Sequence, residues 1–204
     1  MRILIAYYSF YGHILKMAQA VAEGVRQVEG VECIIRRVEE FEKVNKIIDG
    51  NEAARAVRDR QKDIPVCALD DLRQADGIIF GSPTRYGNMT AQMKQLFDST
   101  APLWLKGELE GKTAGVFTST ATTHGGQETT LISMMIPILH LGMVIVGVPY
   151  STPGMLHTEG RGGTPYGPTT IAGSDNKREP AAEDLELARA LGRRVAEITK
   201  KLRS

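Results

Sequence analysis

The sequence predicts an α/β fold built on a parallel, doubly wound sheet. Three observations carry that prediction: short apolar strands alternate with helix-period stretches, three of the strands run into loops of small residues, and the chain ends in a long amphipathic helix.

The first strand is the apolar run over residues 3–8, which breaks into Ser9-Phe10-Tyr11-Gly12-His13. From Ile14 the residues Met17, Ala18, Val21, Ala22, Val25 and Val28 recur at helical spacing, so one face of this helix is built to cover a sheet. Residues 31–37 and 76–82 read as the second and third strands, rich in β-branched residues between turn signals. The polar stretch 38–75 between them reads as a surface excursion, with a short helix over 52–60 and a turn over 69–72. A helix over 89–99, a fourth strand over 113–118, a helix over 127–141 interrupted at Pro137 and a fifth strand over 143–147 follow. Residues 150–179, rich in Gly, Pro and Thr, read as a long loop. The last helix is predicted from Pro180, with Leu185, Ala188, Leu191, Val195, Ile198 and Leu202 on one face. Its acids Glu183, Asp184 and Glu186 come first and its bases Arg193, Arg194, Lys200 and Lys201 last, in the sense that complements the helix dipole.

At 204 residues, 42% hydrophobic and 24% charged, the chain has the size and composition of one α/β domain. Lys and Arg total 25 against 24 for Asp and Glu, so a net charge of +1 supplies no field that recruits nucleic acid or an anionic membrane. The absence of a signal-type segment or membrane-length apolar run predicts a cytoplasmic protein with no membrane insertion. Cys33 and Cys67 form no C-x-x-C pair and are assigned no chemistry, and no metal site is predicted.

Ligands in doubly wound sheets bind beyond the carboxyl ends of the strands, so the loops after strands one, three and four are the place to look for a site. The first, Ser9 to His13, opens a helix whose leading amides lack internal partners and attract a phosphate; the unliganded alternative is a plain turn capped by Ser9. The second, Pro83-Thr84-Arg85-Tyr86-Gly87-Asn88, offers an aromatic, a cation and exposed backbone amides to a planar ring. The third, Ser119-Thr120-Ala121-Thr122-Thr123-His124-Gly125-Gly126, is rich in hydroxyls that suit a polyol chain and a pyrimidine edge. Competing motifs fail on spacing. Gly107 to Thr113 has one residue too few between its glycines for a Walker loop and runs into a strand, and no G-x-G-x-x-G follows the first strand. Nor does an acidic pair end that strand, as a receiver domain would need.

Five separated blocks together resemble one family. They are residues 7–14, 81–89, 124–130, 142–146 and the Arg161-Gly162-Gly163-Thr164-Pro165-Tyr166-Gly167 run, and they look like the WrbA family of flavodoxin-like, FMN-dependent NAD(P)H:quinone oxidoreductases. The resemblance implies a five-stranded sheet in the order 2-1-3-4-5 with helices on both faces. It implies FMN held at its phosphate by Ser9, Phe10, Tyr11, Gly12, His13 and Ile14. The flavin ring would be flanked by Pro83, Thr84, Arg85, Tyr86, Gly87 and Asn88, and its pyrimidine side and ribityl chain bound by Ser119, Thr120, Ala121, Thr122, Thr123, His124 and Gly125. Tyr11 and Trp104 match positions that touch nicotinamide or substrate, and His140 one that touches flavin and assists; no protein side chain is implied as nucleophile. Read without the family, His140 is a helix-end histidine and Trp104 a core residue. The loop 150–179 would lie near the active site and the subunit contacts of a homotetramer. The implied reaction is a two-electron, ping-pong reduction of quinone by NADH or NADPH. The rival readings are a flavodoxin-type one-electron carrier and a non-catalytic regulatory or binding protein.

Overall fold

The structure is a computed structural model and describes residues 1–203. In chain order the elements are β1 (Arg2–Tyr7), α1 (His13–Arg26), β2 (Glu32–Arg37), α2 (Glu42–Asp49), α3 (Glu52–Arg60), α4 (Leu69–Gln74), β3 (Gly77–Pro83), α5 (Ala91–Ser99), α6 (Ala101–Trp104), β4 (Thr113–Thr120), α7 (Gln127–His140), β5 (Val144–Ile145), β6 (Gly163–Thr164), β7 (Gly167–Ile171) and α8 (Ala182–Leu202).

The strands run in the order β2-β1-β3-β4-β7-β6, with β5 also on β4. All pairs are parallel except β6 with β7. Alternation along each strand divides the core between the two sheet faces. Leu4, Ala6, Ile78 and Phe80 face Met93, Phe97, Leu131 and Ile138 on one side, while Ile3, Ile5, Tyr7 and Phe117 face Val21, Val25, Leu191 and Val195 on the other.

The fifth strand position differs from expectation. The strand predicted over 143–147 pairs with β4 only through Val144 and Ile145, opposite Thr113 and Ala114. The chain then leaves the sheet, and β7 takes over beside Thr118, Ser119 and Thr120. One sheet position is thus filled by two segments, and 150–179 is a loop only in part. Its second half is β6 and β7, hidden from pattern reading because Gly167-Pro168-Thr169-Thr170-Ile171 carries no apolar run although every residue in it is buried.

Smaller departures have local causes. The excursion 38–75 holds three helices instead of one; α2 escapes notice because of its residues only Ile48 is buried, and 69–72 is the start of α4. The helix predicted from Met89 starts at Ala91, because the Thr90 side chain accepts from the Met93 amide and caps it. Pro137 does not interrupt α7: near the helix end its missing N–H leaves only the Ser133 carbonyl without its ladder partner. The last helix starts at Ala182, where the Asp184 carboxylate accepts from the Ala181 amide at 3.0 Å.

Helix α1 is locked in place by close approach to α8. A β-carbon on Gly24 would lie 1.9 Å from the Arg189 carbonyl oxygen, and one on Gly192 would lie 2.0 Å from that of Val21. Both obstacles are backbone, so neither helix tolerates a side chain there without moving. Gly192→Val is expected to destabilise the fold by about 3 kcal/mol, the upper end of the usual cost of forced overpacking; urea unfolding measures it, and an unchanged midpoint would contradict the tight crossing.

Candidate functional site

The loops after β1, β3 and β4 meet at the carboxyl edge of the sheet around one half-open cleft of ≈110 Å³. Ser9, Phe10, Tyr11, His13, Ile14, Pro83, Thr84, Arg85, Ser119, Thr120 and Ala121 line it, so residues far apart in sequence converge there. Two further lining residues, Ala172 and Asn176, come from the segment after β7. Pattern reading misses them because the strand that delivers them has no apolar signature; the small, hydroxyl-rich run 168–170 is the one available hint.

The phosphate-type corner is built by Gly12. Its φ of 95° turns the chain sharply into α1, and a β-carbon there would meet the Arg60 guanidinium at 2.9 Å and Val57 at 3.2 Å. The amides of His13 and Ile14 precede the first helical bond, from the Lys16 amide to the Gly12 carbonyl. Ser9 Oγ accepts from the Leu15 amide at 3.1 Å, which leaves its hydroxyl proton for a ligand. Amides, a hydroxyl and a helix N-terminus form a donor set that fits a phosphate monoester such as that of FMN.

A strap closes one flank of this corner. His13 Nε2 donates to the Arg178 carbonyl at 3.0 Å, and Lys16 pairs with Glu179. Contact with Lys16 holds the Glu179 carboxyl below its usual range. Burial is the main influence on His13 and pulls its pKa down, against the opposing pull of the Arg178 carbonyl and Glu179.

The loop after β3 is a hairpin in miniature. Arg85 and Asn88 exchange backbone bonds of 2.7 and 3.0 Å around Tyr86 and Gly87, whose φ values are 54° and 76°. Two consecutive positive φ angles are those of a type I′ turn, uncommon for a tyrosine, and they leave the Tyr86 ring fully exposed at the tip. Thr84 Oγ1 accepts from the Gly87 amide and the Thr130 hydroxyl, so the base of the loop is fixed while its tip projects. Tyr86, Gly87 and Asn88 therefore extend the cleft's rim and do not line its interior.

In the loop after β4, Thr122 turns the backbone, its carbonyl accepting from Thr120 Oγ1 and from the Gly125 amide. Thr123 and His124 face away into a neighbouring groove shared with His157 and Arg161. His140 and Trp104 lie elsewhere within the chain. Helix α7 runs about 21 Å from the carboxyl edge towards the start of β4, at 1.5 Å per residue. His140 at its far end and the exposed Trp104 line an open groove with Phe97 and Pro137. No group of three or more His, Cys, Asp or Glu suited to a metal occurs among the described residues.

A family model described as NADPH-dependent FMN reductase matches residues 2–155. The chain belongs to this family. Members of similar sequence include proteins named NAD(P)H dehydrogenase (quinone) from Solidesulfovibrio magneticus, 49% identical over the whole of both chains, and from Geobacter sulfurreducens, 52% identical over 99% of each. Among solved structures, a flavodoxin, WrbA-like protein from Agrobacterium tumefaciens superposes with a TM-score of 0.64 at 25% identity, covering 98% of both chains. Flavodoxin 1 from Bacillus cereus, at 18% identity and TM-score 0.59 over 97% of this chain and 98% of its own, shares the fold. The FMN reductase family and its flavodoxin-like architecture indicate FMN as the cofactor.

Because the His13 pKa is lowered in the fold, the unfolded chain takes up a proton below about pH 6.5 before the folded one does. The contribution of neutral His13 is therefore present above that pH and is lost as acidification proceeds through the lowered value. Stability measured by urea at pH 7 and pH 5 is expected to fall between the two, and His13→Gln to flatten the difference.

Proposed function

We propose that this FMN reductase family member is an NAD(P)H-dependent quinone oxidoreductase that binds FMN in the carboxyl-edge cleft and works by a ping-pong exchange of donor and acceptor. The observation that supports this reading most directly is the convergence of the α1 N-terminus, the Arg85 loop and the hydroxyl-rich β4 loop on one cleft. The cleft is small for a ligand pocket, which typically spans about 300–1,000 Å³. It suits the phosphate and ribityl portion of a flavin, with the ring between the rims.

On this reading Ser9, the amides of residues 10–14 and the helix dipole hold the phosphate, and the positive φ of Gly12 supplies the turn that aims those amides. Thr84, Arg85, Tyr86, Gly87 and Asn88 flank the ring, and Ser119 to Gly125 bind its pyrimidine side and the ribityl chain. Arg85 has no carboxylate partner among the described residues, so its cation is available to negative charge at the ring edge. Bound there, FMN supplies the two-electron relay between nicotinamide and quinone. Tyr11, half out of the cleft, provides a flat wall against which either substrate stacks.

His140 and Trp104 reach no flavin of their own chain, so their part in the site requires another subunit. The outer face of α7 supports such assembly. Ile132, Ile136 and Leu139 form an exposed helical stripe beside exposed Trp104 and Leu105. We read this stripe as the contact of a homotetramer in which His140 and Trp104 of one subunit complete the site of the next.

Purified protein is expected to take up FMN, to lose flavin absorbance on anaerobic NADH or NADPH addition, and to regain it with benzoquinone. Initial rates with donor and benzoquinone varied together should give parallel double-reciprocal lines; intersecting lines would rule out alternate use of one pocket. Ser9→Ala should weaken FMN binding about tenfold, the effect of losing one hydrogen bond to a charged group, as read by flavin fluorescence. Ile136→Glu should lower the oligomer mass in sedimentation and reduce quinone turnover while FMN still binds.

A further inference from the structure

A second cleft lies on the other side of the Ser9-Phe10 backbone, between the ends of β1 and β2 and the α2–α3 hairpin, half-open and with a volume of ≈330 Å³. Both Ser9 and Phe10 line the two clefts, so the phosphate loop is their shared wall. The hairpin is fastened to that wall: Gln61 Nε2 donates to the Ser9 carbonyl at 3.1 Å, and Tyr7 donates to Gln61 Oε1 at 3.2 Å.

The cleft combines an apolar floor with a charged rim. Val38, Ile48 and Ala54 are buried at its base, and Arg37, Arg58 and Lys62 stand around it. Two carboxylates are also present, but one is already engaged. Glu40 accepts from the Tyr8 hydroxyl at 2.5 Å, from Gln92 Nε2 at 2.6 Å and from the Phe41 amide at 2.9 Å. The cations are less committed. Lys62 has no ion pair among the described residues, and Arg37 spends only its Nε, on the Ile64 carbonyl at 3.0 Å. Arg58 pairs with Asp49 at 2.8 Å across an exposed surface, a bond worth little and easily exchanged for a phosphate. The space reaches the lower end of ligand-sized pockets, about 300 Å³. An apolar floor for a flat base, cations for phosphate and a volume of this order describe a site for an adenosine phosphate.

We infer that this second cleft holds the adenosine half of the nicotinamide donor, with Arg58 and Lys62 on a 2′-phosphate, so that NADPH is favoured over NADH. The inference rests on the proposed function, in which the nicotinamide end occupies the flavin cleft beside Tyr11. The dinucleotide then crosses the Phe10 ridge, its hydride-donating ring in one cleft and its adenosine in the other. The α2–α3 hairpin acquires a task in this arrangement: it is the lid of the donor's recognition site and sets its charge.

The test uses FMN-loaded protein and 2′,5′-ADP, which carries the recognised half and no nicotinamide. Calorimetric titration is expected to show saturable binding of 2′,5′-ADP, with 5′-ADP at least tenfold weaker. Lys62→Glu and Arg58→Gln, both at the surface, should each weaken 2′,5′-ADP at least tenfold. The KM for NADPH should rise in parallel, relative to that for dihydronicotinamide riboside, which lacks phosphates and adenine. Absence of saturable 2′,5′-ADP binding, or unchanged affinity in both variants, would overturn the inference. Failure of the proposed function is separately visible: no donor, the riboside included, would then bleach the flavin, whatever the outcome with 2′,5′-ADP.

Discussion

Everything at the carboxyl edge depends on where the first turn of α1 points, and that direction is set by the crossing of α1 with α8. Gly24 and Gly192 bring the two backbones to a separation at which a single methyl group would strike a carbonyl oxygen. The crossing is then reinforced by Val21, Val25, Leu187, Leu191 and Val195, all removed from solvent. A helix held this way cannot roll or slide without breaking many small contacts at once. The donor atoms at its N-terminus inherit that rigidity, which matters because a phosphate is recognised by the positions of amides more than by any one side chain.

The remaining parts of the cleft are hung on the same frame by shorter links. β1, β3 and β4 are adjacent and parallel, so their loops must emerge side by side. The segment after β7 returns to the same edge, where the Arg178 carbonyl and Glu179 tie it to His13 and Lys16. From the opposite flank Arg60 and Gln61 press the α2–α3 hairpin against Gly12 and Ser9. The phosphate loop is therefore braced on both sides, and the missing side chain of Gly12 at its corner leaves room for the Arg60 guanidinium.

The parts of this design that were legible in the sequence are those governed by short-range rules. Apolar alternation placed β1, β3, β4, α1 and α8, and residue chemistry picked out the three loops, because burial period and turn preference act within a few residues. The parts that were hidden depend on distant partners. β7 is a strand because β4 offers it hydrogen bonds after β5 has left, and nothing in Gly-Pro-Thr-Thr-Ile signals that vacancy. Helix α2, with one buried residue, shows too narrow an apolar stripe to be recognised. Ala172 and Asn176 share that blind spot, since their place in the cleft follows from β7. The second cleft was invisible for the same reason: Arg37 reads as the end of a strand and Arg58 and Lys62 as part of a polar surface excursion, and they acquire meaning together only when the hairpin folds over Ser9.

Helix α7 links these local and distant constraints. Its N-terminus follows the hydroxyl-rich loop of the carboxyl-edge cleft, and its C-terminus carries His140 to the opposite end of the sheet, where Trp104 also lies. On the proposed reading these two ends serve different sites, one in the same subunit and one in a neighbour. The exposed stripe of Ile132, Ile136 and Leu139 between them is then the element that couples assembly to activity. A monomer would keep the FMN corner and Tyr11, whose place the α1–α8 crossing fixes, but on that reading would lack His140 and Trp104 of the neighbour. If the proposed assembly holds, FMN affinity and quinone turnover belong to different levels of structure: the first to the crossing of two helices, the second to the packing of several chains.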